Sequence, residues 1–206
     1  MFRRHHFFVS LSVALVTGIL SWGCKKDTQA TPRVTFESEI QAGSHTVKDC
    51  GQSGIWLTIG SFGNPALGRM DPANPDSPLI DPVRPIDDGA QDQQGTVSVT
   101  CSVTGAGSGF DVAAHAELTG ATGGAVTITG HFEPTGDQMN ITAAISAKQG
   151  QTFTDRGCIA TFDSTVGQSV AAGRVWATLD CPNAANAGAQ QTCKTHAQFR
   201  FENCTQ

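Results

Sequence analysis

The sequence predicts an all-β domain, an antiparallel β-sandwich or barrel-like meander stapled by disulfides. Three observations carry that expectation. From residue 33 onward, apolar residues recur at every second position, the signature of strands with one buried face. Clusters of glycine, proline, asparagine and aspartate separate these runs. No segment has the 3.6-residue period of an amphipathic helix.

Taken in order, short strands are expected near 33–40, 45–50 and 54–60. The pattern is then clearest where Val97, Val99, Cys101 and Val103 alternate with Thr96, Ser98, Thr100 and Ser102. Phe110, Val112, Ala114, Ala116 and Leu118 follow, and then Val126, Ile128 and Phe132. Met139, Ile141, Ala143 and Ile145 make the next inward row, and a short strand is expected near 157–163. Val175, Ala177, Leu179 and Cys181 make another, as do Thr195, Ala197, Phe199 and Phe201. Turns are predicted at Gly105–Gly109, Thr122–Gly124, Pro134–Asp137 and Gly167–Gly173. With one apolar face per strand, the sheet must pack on another sheet or curl on itself.

Residues 61–95 interrupt the pattern. They hold Pro65, Pro72, Pro75, Pro78, Pro82 and Pro85 among Asp71, Asp76, Asp81, Asp87, Asp88 and Asp92. Proline removes ladder donors, so an irregular insertion is expected here rather than a central strand. The acid spacing fits no known calcium loop.

The amino terminus has a different grammar. Arg3 and Arg4 precede an apolar run from Phe7 to Leu20, which is followed by Ser21, Trp22, Gly23 and Cys24. A basic start, a short apolar run and small residues before a cleavage point make a secretory signal over 1–23. Leu20-Ser21-Trp22-Gly23-Cys24 resembles the lipobox of bacterial lipoproteins. The resemblance implies that Cys24 is acylated and becomes the first residue of the mature chain, and that the partner it engages directly is a membrane. In the sorting preference of enteric-type lipoproteins, Lys25 at the next position implies the outer membrane. Cleavage of an ordinary secretory signal after Ala30 is the alternative, with Lys25, Lys26 and Asp27 in its approach.

Removal of the signal takes two arginines and no acid, so the formal charge moves from −5 to −7. An acidic chain of this kind argues against a nucleic-acid partner. Residues 24–32 read as the lipidated cysteine and a flexible tether, and 33–206 as a single β-domain.

Beyond Cys24, six cysteines remain: Cys50, Cys101, Cys158, Cys181, Cys193 and Cys204. Their spacings of 51, 57, 23, 12 and 11 residues contain no C-x-x-C, which favours disulfides over zinc ligation. A Cys181–Cys193 pair would close the polar loop between two alternating strands and set Asp180 opposite Lys194. For the others, Cys50–Cys101 with Cys158–Cys204 keeps early strands with early and late with late.

Two further features carry possible chemistry. A hairpin about Thr122–Gly124 with pairs summing to 246 would place His115 opposite His131, with Glu117 and Glu133 nearby, as a candidate transition-metal site. A hydrated sheet face accounts for the same residues. Trp176, on the polar side of its strand, would stack a sugar or pack beneath the 61–95 insertion. No nucleophile elbow, zinc-protease helix, P-loop or dinucleotide fingerprint occurs, and no cofactor is expected. The expected function is therefore a cell-envelope lipoprotein whose β-domain binds a protein or glycan without catalysis. The alternatives are a hydrolase or metal-dependent enzyme on a β-scaffold and a lipid carrier with an opened core.

Overall fold

Alternation of buried and exposed side chains along long strands dominates the computed structural model, which describes residues 29–42, 54–63, 83–92, 95–120, 123–147, 151–188 and 190–206. In chain order the strands are β1 (Arg33–Ala42), β2 (Gly54–Ile59), β3 (Ile86–Asp87), β4 (Gln91–Asp92), β5 (Gly95–Ala106) and β6 (Gly109–Thr119). They continue as β7 (Gly124–Phe132), β8 (Gln138–Ala147), β9 (Thr152–Thr161), β10 (Ser169–Ala171), β11 (Arg174–Asn186) and β12 (Gln191–Glu202). Among the described residues no helix is long and apolar enough to cross a membrane.

The strands form one antiparallel sheet in the order β2-β1-β12-β11-β9-β8-β7-β6-β5-β4, nearly closed into a barrel. From β5 to β12 the chain is a meander, with the short β10 folded onto β11, and β1 joins beside β12. Of the sandwich and the curled sheet, the chain adopts the second.

Closure occurs between β1 and β5, and two segments make the seam. The stretch 86–92 pairs with β1 through Ile86↔Val34 and with β5 through Gln91↔Thr96. Its acids serve the backbone: Asp88 Oδ1 accepts from Val99 N at 2.8 Å, and Asp92 Oδ2 accepts from Gly60 N at 3.0 Å. The last third of the expected insertion is thus built into the sheet, while residues 64–82 lie outside the described residues. The second segment is 203–205, where Thr205 N donates to Cys101 O and Val103 N donates to Thr205 O, both at 2.9 Å.

Inside, Phe36, Phe132, Phe199 and Phe201 are fully buried with Ile40, Ile128, Ile141, Ile145 and Leu179. Ring centroids of Phe132 and Phe199 lie 6.3 Å apart, and those of Phe199 and Phe201 6.4 Å apart.

One inward row departs from expectation. Met139 is 59% exposed, and Gln138 is buried instead. Asn140 has φ of 60°, and the β8–β9 register shifts between Gln138 and Ile141. This bulge turns Met139 outward. Gln138 accepts from Glu133 N at 2.6 Å and donates to Gly136 O at 2.7 Å, fastening the turn before β8.

The disulfides also correct the expected pairing. They join Cys101 to Cys204 and Cys158 to Cys181, in place of Cys181–Cys193, Cys50–Cys101 and Cys158–Cys204. The reason is that β11 runs past Cys181 to Asn186 through a bulge between Cys181 and Ala184. Cys193 therefore stands opposite Ala184 and Cys181 opposite Thr195, while Asp180 faces His196 rather than Lys194. On its other edge β11 pairs Asp180 with Ile159, so the next step along the ladder sets Cys181 against Cys158, with Cα atoms 4.2 Å apart. Cys193 is itself disulfide-bonded; Cys50 lies outside the described residues.

Candidate functional site

Outward-facing side chains of β5, β6 and β7 form the polar sheet face on which the histidines were expected to meet. The β6–β7 hairpin exists, but its register sets Asp111 opposite His131 and His115 opposite Thr127. His115 and His131 are thus four rows apart, roughly 13 Å at about 3.3 Å per residue, too far to share a metal ion. The turn glycine explains the shift. Gly124 lies in strand position opposite Leu118, and a Cβ there would approach Leu57 Cδ1 to 2.7 Å. It is a packing glycine beneath β2, and the turn centres earlier.

His131 instead lies between two carboxylates. Its Nδ1 is 2.8 Å from Asp111 Oδ1 and its Nε2 is 3.2 Å from Glu133 Oε1. Hydrogen bonding to Asp111 and then to Glu133 raises the His131 pKa above the ordinary 6.5 against a smaller desolvation effect. An acceptor at each ring nitrogen favours the doubly protonated ring over the neutral one, and both nitrogens are engaged by these carboxylates rather than free for a metal. Ser108 donates to Glu133 Oε1 at 2.9 Å, so serine and histidine share a carboxylate without touching as nucleophile and base.

This arrangement has a measurable consequence. A raised folded-state pKa means the contact is fully present below the ordinary histidine pKa and fades as pH rises through the raised value. In an NMR titration, His131 is expected to lose its proton above the ordinary histidine pKa of 6.5. Asp111→Asn should lower the His131 midpoint, and an unmoved midpoint would contradict the assigned cause.

His115 Nδ1 is 3.0 Å from Thr127 Oγ1, and its Nε2 is 3.9 Å from Glu117. Around it, Thr100, Ser102, Ala113, Thr127 and Thr129 floor an open depression of about 440 Å³, walled by Pro32 and Thr205. A third histidine pair was missed in the sequence: His196 Nδ1 lies 2.7 Å from Asp180 Oδ1. It became legible only with the β11–β12 register.

Trp176 is opposite Arg200, whose Cζ is 4.8 Å from the ring centroid. Arg200 also binds Glu202 Oε1 at 2.6 Å, and Glu202 Oε2 takes Arg33 Nε at 2.8 Å. A Cβ on Gly167 would sit 3.8 Å from the Trp176 ring, so the turn before β10 flanks the indole. The ring is occupied by a cation–π contact from its own sheet.

Among the described residues, one metal-like cluster remains, Asp155 with Cys158 and Cys181, whose ligand atoms lie within 4.8 Å of one another. The sulfurs are bonded together, and both carboxylate oxygens are used: Oδ1 accepts from Gly157 N and Oδ2 from Asn183 N, each at 2.8 Å. Asp155 therefore ties β9 to the bulge in β11 beside the disulfide. Asp155→Ala strands two backbone donors and is expected to cost about 2–3 kcal/mol in urea unfolding. Asp155→Asn, which keeps one acceptor, should recover part of that loss. Equal stability of the alanine variant and the parent would refute the role.

Cys24 lies outside the described residues. No family profile, curated protein or solved structure matches the chain.

Proposed function

We propose that this chain is an exported lipoprotein of the bacterial cell envelope, acylated at Cys24, held at the outer membrane, and displaying its β-barrel as a non-catalytic module that binds a protein or glycan. The observation that carries the reading is the succession of Arg3-Arg4, the apolar run to Leu20 and Gly23-Cys24, followed within a few residues by a folded domain. Disulfides at Cys101–Cys204 and Cys158–Cys181 support an oxidising compartment.

More than one acyl chain gives stable membrane attachment, so the lipidated form should resist release by salt. The test is intact-mass analysis of mature protein from its native host. Expected are an amino-terminal Cys24 carrying diacylglycerol and an N-acyl group, and a Cys24→Ser variant that no longer fractionates with membranes. An unmodified mature terminus at another residue would end the lipoprotein reading.

A further inference from the structure

We infer that the barrel stands on the membrane with one defined end, the end where the chain enters β1, against the lipid surface, and presents the opposite end outward. The inference rests on acylation of Cys24 and adds to it an orientation and a distance.

The tether is not free along its expected length. Gln29 Nε2 donates to Thr205 Oγ1 at 3.3 Å, Asn203 Nδ2 donates to Thr31 O at 2.9 Å, and Asp88 N donates to Pro32 O at 2.9 Å. Residues 203–205 are in turn fixed to β5 by backbone bonds and by Cys101–Cys204. The chain is therefore attached to the barrel wall from Gln29 onward. Between Cys24 and Gln29 there are five peptide steps, which reach about 17 Å when fully extended. A lipid at Cys24 can only lie within that radius of the Gln29–Thr205 contact.

Strand direction then decides which loops face the bilayer. β1 begins at this end, so antiparallel pairing places the ends of β5, β7, β9 and β12 there, with the starts of β6, β8 and β11. The turns at 107–108, 133–137 and 162–168 share that end. They carry Glu133, Asp137 and Asp163, so anionic lipid does not draw them down. The short tether from Cys24 holds them there.

The tryptophans report the two ends. Trp176 is near the start of β11, opposite Arg200. Trp56 stacks on Phe153, 5.6 Å away, near the start of β9 at the other end. Ala185 of β11 is opposite Thr154, so the two indoles are separated by about ten strand positions, roughly 30 Å of strand. Trp22 is lost with the signal.

The experiment uses mature, acylated protein in phosphatidylcholine vesicles containing a dansyl-headgroup lipid, and reads energy transfer from tryptophan to dansyl. Trp56→Phe, which leaves Trp176 as donor, is expected to transfer at least twofold more than Trp176→Phe, which leaves Trp56. Equal or reversed transfer would overturn the orientation. A second variant leaves the barrel untouched: twelve Gly/Ser residues inserted between Lys26 and Asp27 should at least halve transfer from Trp176, and unchanged transfer would overturn the tether as its cause. Mass analysis and vesicle flotation separate the two levels. Protein that floats but transfers equally overturns the orientation alone, whereas protein lacking acyl chains overturns the lipoprotein reading and the orientation with it.

Discussion

Replacing Cys101 and Cys204 together with alanine is expected to lower the unfolding free energy by about 4–5 kcal/mol, more than any other single-bridge deletion among the described disulfides. The two residues are 103 positions apart. In the chain-entropy model a loop of that size restricts the unfolded ensemble by about 4.7 kcal/mol, against about 3 kcal/mol for short loops. Cys158–Cys181 spans only 23 positions and joins strands already hydrogen-bonded to each other. Cys101–Cys204 instead crosses the seam, where 203–205 is held to β5 by a few backbone bonds. Denaturant unfolding of both double-alanine variants under non-reducing conditions makes the comparison. A smaller loss for Cys101/Cys204 than for Cys158/Cys181 would contradict the account.

Phe199→Ala is expected to cost about 3–5 kcal/mol, the range for removing a buried phenylalanine that leaves a cavity. Phe199 is fully buried, sits opposite Phe36 on one side and Ala177 on the other, and packs against Phe132 and Phe201. Ala177 is too small to fill the space, and the facing rings are held by their own strands, so collapse is limited. Phe199→Leu keeps most of the volume and should cost about 1–1.5 kcal/mol. Thermal unfolding of the two variants reads the difference; an alanine variant no worse than the leucine variant would show that the core relaxes freely.

The strands were legible where one face is uniformly apolar. Val97 to Val103, Val112 to Leu118 and Val175 to Cys181 alternate in the sequence and are buried in the barrel. What escaped reading was register. A slip of one hairpin by four positions leaves the inward face unchanged, because side-chain period is two, yet it moves the partner of His131 from His115 to Asp111. The bulge at Cys181–Ala184 has the same character: it preserves the apolar row and exchanges Cys193 for Cys158 as the partner of Cys181. Bulges depend on local backbone geometry that hydropathy does not record. Met139 shows this most plainly, since Asn140 in the left-handed region reverses a face that the pattern assigned inward. Glycine misled for a related reason, because Gly124 is required by the approach of Leu57 and not by a turn. The acids of 84–92 carried a mixed signal: their sequence marks an irregular segment, but only the fold reveals Asp88 and Asp92 as acceptors for Val99 and Gly60.

The place of β1 beside β12 governs the order in which this chain can mature. Arg33 pairs with Glu202, 169 positions later, so the first strand of the sheet must wait for the last before that edge is satisfied. Val34, Phe36 and Ile40 have only β2 and β3 to cover them until then. The β5–β12 meander faces no such delay, since each hairpin closes locally and loop entropy favours near neighbours. Assembly is therefore expected to proceed from the β5–β12 hairpins toward closure, against the order of the chain. The vulnerable interval is the one before β12 forms, when β1 carries an unpaired apolar edge.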